Sequence, residues 1–362
     1  MPTALVTGIG GQDGSYLCEL LLQKDYTIHG LLRQRSSAPC MSEHMSHLAA
    51  SIKNFRARVI LHVGDVLDPF CILKILSTVS PPIDEIYHLA AQSHVALSFH
   101  LQLYTCDVNA LGTVRILQAI TTLGLQARVK FYNACSSEMY GQAAQSEQDE
   151  KTPFQPVSPY ASSKAFSFWL VASARIAYGL FAVNGILFNH ESPRRGLDFV
   201  TRKISHGVAQ IHLGNACTIE LGNLDARRDW GHARDYMRGV YDMMHQRAPE
   251  DFVLATGESR SVRDFAEAAF RVVGVELRLL SWSGVGTKEI GLDRRNGQIQ
   301  VKVNEELYRP AEVWHLQGCA SKAWEAFNWK PDVSFEDLVR EMVEADIALL
   351  KAQNGMPMKS KI

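Results

Sequence analysis

Apolar and polar positions alternate along this chain in two recurring rhythms. Thr3 to Thr7 is a short apolar run, and Tyr16, Leu17, Leu20 and Leu21 follow it at helical spacing. Compact apolar runs recur at Tyr26 to Leu32, Val59 to Val63, Ile83 to Leu89, Val129 to Asn133 and Phe181 to Phe188. Each has the length of a buried strand. Between them, Asn109 to Ile120 carries Leu111, Val114, Ile116, Leu117 and Ile120 on one helical face. A second helix is expected from about Tyr160. Strands alternating with helices predict an α/β fold built on a doubly wound parallel sheet. Beyond Phe188 the alternation weakens. Val200 to Ile211 predicts a helix, Phe252 to Thr256 a strand, and Phe335 to Leu350 a closing amphipathic helix. The expected division is 1–188 as a nucleotide-binding unit and 189–362 mainly as an interleaved, smaller substrate lobe. Segments at about 221–256 are expected to return to the first unit.

The first strand runs directly into Gly8-Ile9-Gly10-Gly11-Gln12-Asp13-Gly14. A strand, a glycine turn and a helix form a phosphate-binding element: the backbone turns tightly, and the helix N-terminus attracts an anion. The second strand ends at Arg33, with Arg35, Ser36 and Ser37 behind it. An acid at that place binds ribose hydroxyls. Two cations and two hydroxyls instead suit a ribose 2′-phosphate, so NADP is the expected cofactor. Asp65, after the third strand, is placed to meet the adenine. The fourth strand ends in small residues that allow close backbone contact with the cofactor.

Pro159 opens a helix on which Tyr160 and Lys164 share one face. A free tyrosine has a pKa of about 10, and a neighbouring ammonium is expected to lower it, making Tyr160 a base for a sugar hydroxyl. The fifth strand delivers Ser136 and Glu138 to the same sheet edge, where ligands of open α/β sheets bind. Arginines clustered near turns in the second half, with Arg227, Arg228 and Asp229 together, fit a diphosphate ligand.

Composition narrows the setting. The 362 residues are 46% hydrophobic and 21% charged, with a net charge of −1. That balance gives no reason to expect a nucleic-acid or membrane partner. Seven cysteines without a Cys-x-x-Cys pair point to reduced thiols and no metal site. No leader-like stretch precedes the first strand, so a cytoplasmic location is expected.

Four stretches carry a specific resemblance. Thr7-Gly8-x-x-Gly11-Gln12-Asp13-Gly14-Ser15-Tyr16-Leu17, His88 to Val95, Phe188 to Gly196 and Leu221 to His232 resemble the GDP-mannose 4,6-dehydratase family of extended short-chain dehydrogenases with a Rossmann fold. The resemblance implies a hydro-lyase that turns GDP-mannose into its 4-keto-6-deoxy form. It implies Ser136, Glu138, Tyr160 and Lys164 as catalytic. It implies NADP contacts at Gly8, Ile9, Gly10, Gly11, Gln12, Asp13, Arg33, Gln34, Arg35, Ser36, Asp65, Val66, Leu89, Ala90, Ala91, Gln92, Ser93, Tyr104, Lys164, His190 and Arg195. The GDP-sugar would meet Asn189, Lys203, Arg228, Arg309 and Glu312. Ser136 and Gly10 stand where the family commonly has Thr, and Thr or Ser. A homo-oligomer is implied; Ala38 to Ser46 matches the family poorly, so dimer and tetramer both stay open. A GDP-heptose dehydratase would share every motif. An epimerase or reductase would not need Glu138, and an inactive NADP-binding scaffold would not need the intact catalytic set.

Overall fold

The computed structural model describes residues 1–33, 58–274, 280–293 and 296–354. Gln34, Arg35, Ser36 and the loop 38–46 lie outside the described residues. The strands, in chain order, are β1 (Thr3–Thr7), β2 (Thr27–Leu32), β3 (Val59–Val63), β4 (Glu85–His88), β5 (Lys130–Ser136), β6 (Phe181–Leu187) and β7 (Asn189–Glu191). They continue with β8 (Ile219–Leu221), β9 (Arg227–His232), β10 (Phe252–Leu254), β11 (Ser259–Ser261), β12 (Leu280–Ser283), β13 (Ile290–Asp293) and β14 (Ile299–Val303).

Seven of these form one parallel sheet in the order β10-β6-β5-β4-β1-β2-β3. β1 is buried along its whole length because helices cover both faces of the sheet. Its side chains divide with a period of two. Ala4 and Val6 enter the core shared with the Gln12–Gln23 and Ala233–Met244 helices. Leu5 enters the opposite core, with Ile75, Ile116 and Val171 of the Pro69–Thr78, Gly112–Thr122 and Pro159–Tyr178 helices. The strand order reverses between β1 and β4. Connections leave in opposite directions there, and a crevice opens at the carboxyl ends.

The chain leaves this sheet after β6 and returns at β10, which pairs with β6. The return is made by 233–254; Leu221 instead pairs within a four-stranded sheet, β12-β13-β14-β8. β9 joins β7 and β11 in a three-stranded sheet. A third core lies here, where Val208, Phe265, Leu338 and Met342 of the Val200–His212, Val262–Val272 and Phe335–Asn354 helices meet Trp230 and Val301. Two expected bounds shift. The helix expected over 109–120 starts as a π-turn, Asp107–Leu111, before Gly112–Thr122, and β5 runs on to Ser136. Among the described residues no helix is long and apolar enough to cross a membrane.

Candidate functional site

The glycine turn after β1 leaves no room for side chains at Gly8 and Gly14. Gly8 has φ +73°, and a Cβ on it would sit 2.8 Å from the Ala90 nitrogen. A Cβ on Gly14 would lie 2.4 Å from the Gly8 carbonyl oxygen. Gly11 begins the Gln12–Gln23 helix without a side-chain cap, so first-turn N–H groups remain for an anion. This turn floors a cavity of about 1110 Å³ at the crevice between β1 and β4.

Most of the predicted residues line that cavity. Gly8, Gly10 to Asp13, Arg33, Asp65, Val66 and Leu89 to Ser93 do so, as do Tyr104, His190 and Arg195. Ser136, Glu138, Tyr160, Lys164 and Asn189 share it. Ile9 does not: it is fully buried and packs against Gly30, because the turn directs it into the core. Lys203, Arg228, Arg309 and Glu312 are not among the lining residues. Lys203 sits on the Val200–His212 helix near Glu220, while the other three converge behind Glu138.

The rim is fixed by polar bonds the sequence does not announce. Thr7 Oγ1 accepts from the Leu89 and Ala90 nitrogens, each at 3.2 Å. Asn109, in the π-turn, accepts from the Gln92 nitrogen at 2.9 Å and donates to the Gln92 carbonyl at 3.0 Å and to Ser163 Oγ at 3.1 Å. A polar residue on an otherwise apolar helical face was the available signal for Asn109. Arg33 donates to the Tyr104 hydroxyl at the end of β2.

A second network ties the glycine turn to the chain beyond β6. His190 Nε2 is 3.0 Å from Asp13 Oδ2, Gln12 Nε2 donates to the His190 carbonyl at 2.9 Å, and Ser192 Oγ donates to Gln12 Oε1 at 2.8 Å. Burial pushes Asp13 up, but His190, Arg195 and Gln12 outweigh it and hold the carboxyl at about 2. Burial likewise opposes the charge on His190, and Asp13 overrides it, so the imidazole titrates above its ordinary value.

The reactive groups stand on β5 and the Pro159–Tyr178 helix. Ser158 caps that helix, accepting from the Ala161 nitrogen at 3.1 Å, and Ser98 Oγ accepts from the Tyr160 nitrogen at 3.2 Å. Tyr160 departs from expectation. Burial raises its hydroxyl to about 12; the hydrogen bond with Ser136 is the main opposing influence, and Glu138 adds to the rise. Lys164 is engaged elsewhere. Its ammonium donates to the Ala134 carbonyl at 2.7 Å, and burial lowers its own pKa. Ser136 Oγ also accepts from the Glu138 nitrogen at 3.2 Å, starting the short Ser137–Tyr140 turn. That turn brings the buried Glu138 carboxylate beside the two hydroxyls. Asn189 Oδ1 is buried without a hydrogen-bond partner among the described residues, an acceptor left for a ligand.

A family model described as GDP-mannose 4,6 dehydratase matches residues 5–342. The chain belongs to this family. GDP-mannose 4,6 dehydratase of Cricetulus griseus is 51% identical over 354 residues, covering 96% of this chain and 92% of that protein. The GDP-mannose 4,6-dehydratase of Sinorhizobium fredii is 47% identical, covering 96% of this chain and 97% of that protein. Among solved structures, RMD from Pseudomonas aeruginosa complexed with NADPH has a TM-score of 0.72 at 20% identity, covering 96% of this chain and 100% of that one. DesIV, a dTDP-glucose 4,6-dehydratase from Streptomyces venezuelae with NAD and TYD bound, has a TM-score of 0.76 at 22% identity, covering 95% and 96%. These two likenesses establish the shared fold alone.

Proposed function

We propose that the protein removes water from GDP-mannose to give GDP-4-keto-6-deoxy-mannose, as a lyase that uses NADP within one turnover. The observation that carries the reading is a buried carboxylate, Glu138, beside the Ser136–Tyr160 hydroxyl pair in one cavity. Family membership gives the sugar nucleotide. Removing a hydride from C4 needs a base for the C4 hydroxyl, and Tyr160, whose hydroxyl the Ser136 side chain acts on, takes that proton. NADP bound in this cavity would supply the hydride acceptor for C4 and the hydride donor for C6. A ketone at C4 acidifies the C5 proton, and Glu138 takes it. The C6 hydroxyl leaves as water with a proton from Ser136 or from the newly protonated Glu138; as hydride reaches C6, C5 takes a proton back, and the proton that Tyr160 took from the C4 hydroxyl completes the balance. Incubation with GDP-mannose, read by mass, should show loss of one water; an unchanged mass overturns the reading.

The residues present fit a dinucleotide. Gly8 packs against the Ala90 backbone and Gly14 against the Gly8 carbonyl, a tight turn that only glycine allows and that presents an uncapped helix N-terminus to a pyrophosphate. Arg33 and Tyr104 would hold the ribose end, and Lys164 the nicotinamide end. Arg33 without an acid at the end of β2 supports NADP over NAD. Arg33→Ala should weaken NADP binding at least tenfold while changing NAD binding little, measured by titration of each cofactor.

We also assign nucleotide binding to 1–188 with the returning helix and β10, and the sugar nucleotide mainly to 189–362, with Asn189 facing it. A homo-oligomer is supported by an apolar stripe on the Pro159–Tyr178 helix, where Phe166, Trp169 and Ile176 are exposed. A cytoplasmic location is supported by the free thiols of Cys18, Cys71, Cys106, Cys135, Cys217 and Cys319.

A further inference from the structure

Glu191 is a buried carboxylate that the mechanism leaves unused. It ends β7, is 2% exposed, and is not among the residues lining the cavity, although Asn189 and His190 before it are. Its Oε2 accepts from Thr201 Oγ1 at 2.7 Å and lies 3.1 Å from Arg195 Nε. A carboxylate this buried is costly unless a cation and hydrogen bonds compensate it. Arg195 is that cation, on the turn that follows β7. Nε makes no hydrogen bond, so charge holds the pair together.

Arg195 is held on every side except one. Its backbone nitrogen donates to the Ser192 carbonyl at 3.0 Å. Its carbonyl accepts from Arg202 Nη1 at 2.8 Å, and Arg202 Nε donates to both oxygens of the buried Asp346, each at 3.1 Å. The guanidinium carbon lies 3.6 Å from the centre of the Phe199 ring, and Glu191 takes the Nε side. Among the described residues no hydrogen bond engages Nη1 or Nη2, while Arg195 lines the cavity. Its charge acts on Asp13, in the glycine turn, and on Tyr160, so it stands between that turn and the reactive hydroxyls. Two parallel N–H groups suit phosphate oxygens. We propose that Glu191 is a positioning residue for the cofactor site: backed by Thr201, it aims the free edge of the Arg195 guanidinium at the anionic part of the bound dinucleotide. The role rests on the NADP reading above and falls to a residue outside the cavity.

The test is calorimetric titration of NADP into the full-length protein freed of nucleotide, with circular dichroism to confirm folding. Glu191→Gln keeps the shape and a partner for Thr201 but removes the charge, and should weaken NADP binding about tenfold. Glu191→Asp, which keeps the charge, should lose less. In the Arg195→Met background the effect should vanish: the double variant with Glu191→Gln should bind NADP as Arg195→Met alone does. A residue serving only the fold would weaken binding by the same factor in both backgrounds, and that result would overturn the proposal. A Glu191→Gln protein that binds NADP at wild-type affinity would overturn it too. Should Glu191→Gln not fold, Thr201→Val carries the same cycle, because it loosens the carboxylate without removing it. Its loss of affinity should be present with Arg195 and absent in Arg195→Met; an equal loss in both would again overturn the proposal. A wild type that binds no NADP overturns the cofactor reading and the proposal together, and that failure is visible before any variant is made.

Discussion

Tyr160 shows how far a residue's surroundings can move it from what its neighbours in sequence suggest. Burial holds the hydroxyl near 12, and Ser136, on another element, is the main group that works against that. Tyr160→Phe keeps the ring and should abolish transient nicotinamide reduction in stopped-flow absorbance. Ser136→Ala should slow the same phase about 100-fold, and Ser136→Thr should keep it. The Tyr-x-x-x-Lys spacing was legible from Pro159 and helical periodicity. The direction of the shift was not, because burial and the Ser136 bond exist only once β5 and the helix are packed. Asp13 gives a prediction in pH. Its carboxyl falls from 3.8 to about 2 on folding, worth about 2 kcal/mol. The folded protein therefore binds this proton less readily than the unfolded chain. The contribution is present above the unfolded value and is lost as pH falls through about 2. His190 runs the other way: its pKa rises on folding, so its share is present below about 6.5 and is lost as pH rises through the folded value. Asp13→Asn should flatten both arms of a Tm-against-pH curve.

The Pro159–Tyr178 helix starts where Ser158 and Pro159 predict. Ser158→Ala removes its cap, should cost about 1 kcal/mol in chemical denaturation, and should slow oxidation by loosening the turn that carries Tyr160. The Gly8 turn was equally readable, since strand, glycines and helix follow one another in sequence. The π-turn at Asn109 was not. It is one residue of extra winding in an otherwise helical pattern, and its purpose, gripping Gln92, lies across the crevice. β9 was also hidden. Arg227-Arg228-Asp229 has the polarity of a loop, yet Arg228 and Asp229 are buried because each finds its charge or hydrogen-bond partners on distant segments. Polar strands satisfied across the fold leave no periodic apolar trace.

At the scale of the molecule, the large sheet was predictable because parallel strands buried on both faces read as continuous apolar runs. The second half was harder: its short strands pair in two small sheets, and one segment goes back to the first. The outer surface of the first half carries a further expectation. Trp169 is 63% and Ile176 87% exposed on one helix, and Leu103 nearby in the same α-helical layer is 88% exposed. A Trp169→Glu, Ile176→Glu double variant should leave secondary structure unchanged by circular dichroism and reduce the particle to a monomer by light scattering. If the wild type is already monomeric, the homo-oligomer assignment falls.

Arg309 lies 171 residues after Glu138, and β10 closes the sheet edge only after the whole excursion through β7 to β9. On a ribosome the two halves of the site are therefore made at different times. The emerging chain carries its glycine turn, Ser136, Glu138 and Tyr160 well before their final neighbours exist. Contacts so distant along the chain pay a large loop-closure entropy and form late. Nascent chains arrested at successive lengths should thus gain protease resistance around the glycine turn before they gain the Glu138–Arg309 contact. The chemistry that commits the sugar would be the last thing the polypeptide acquires.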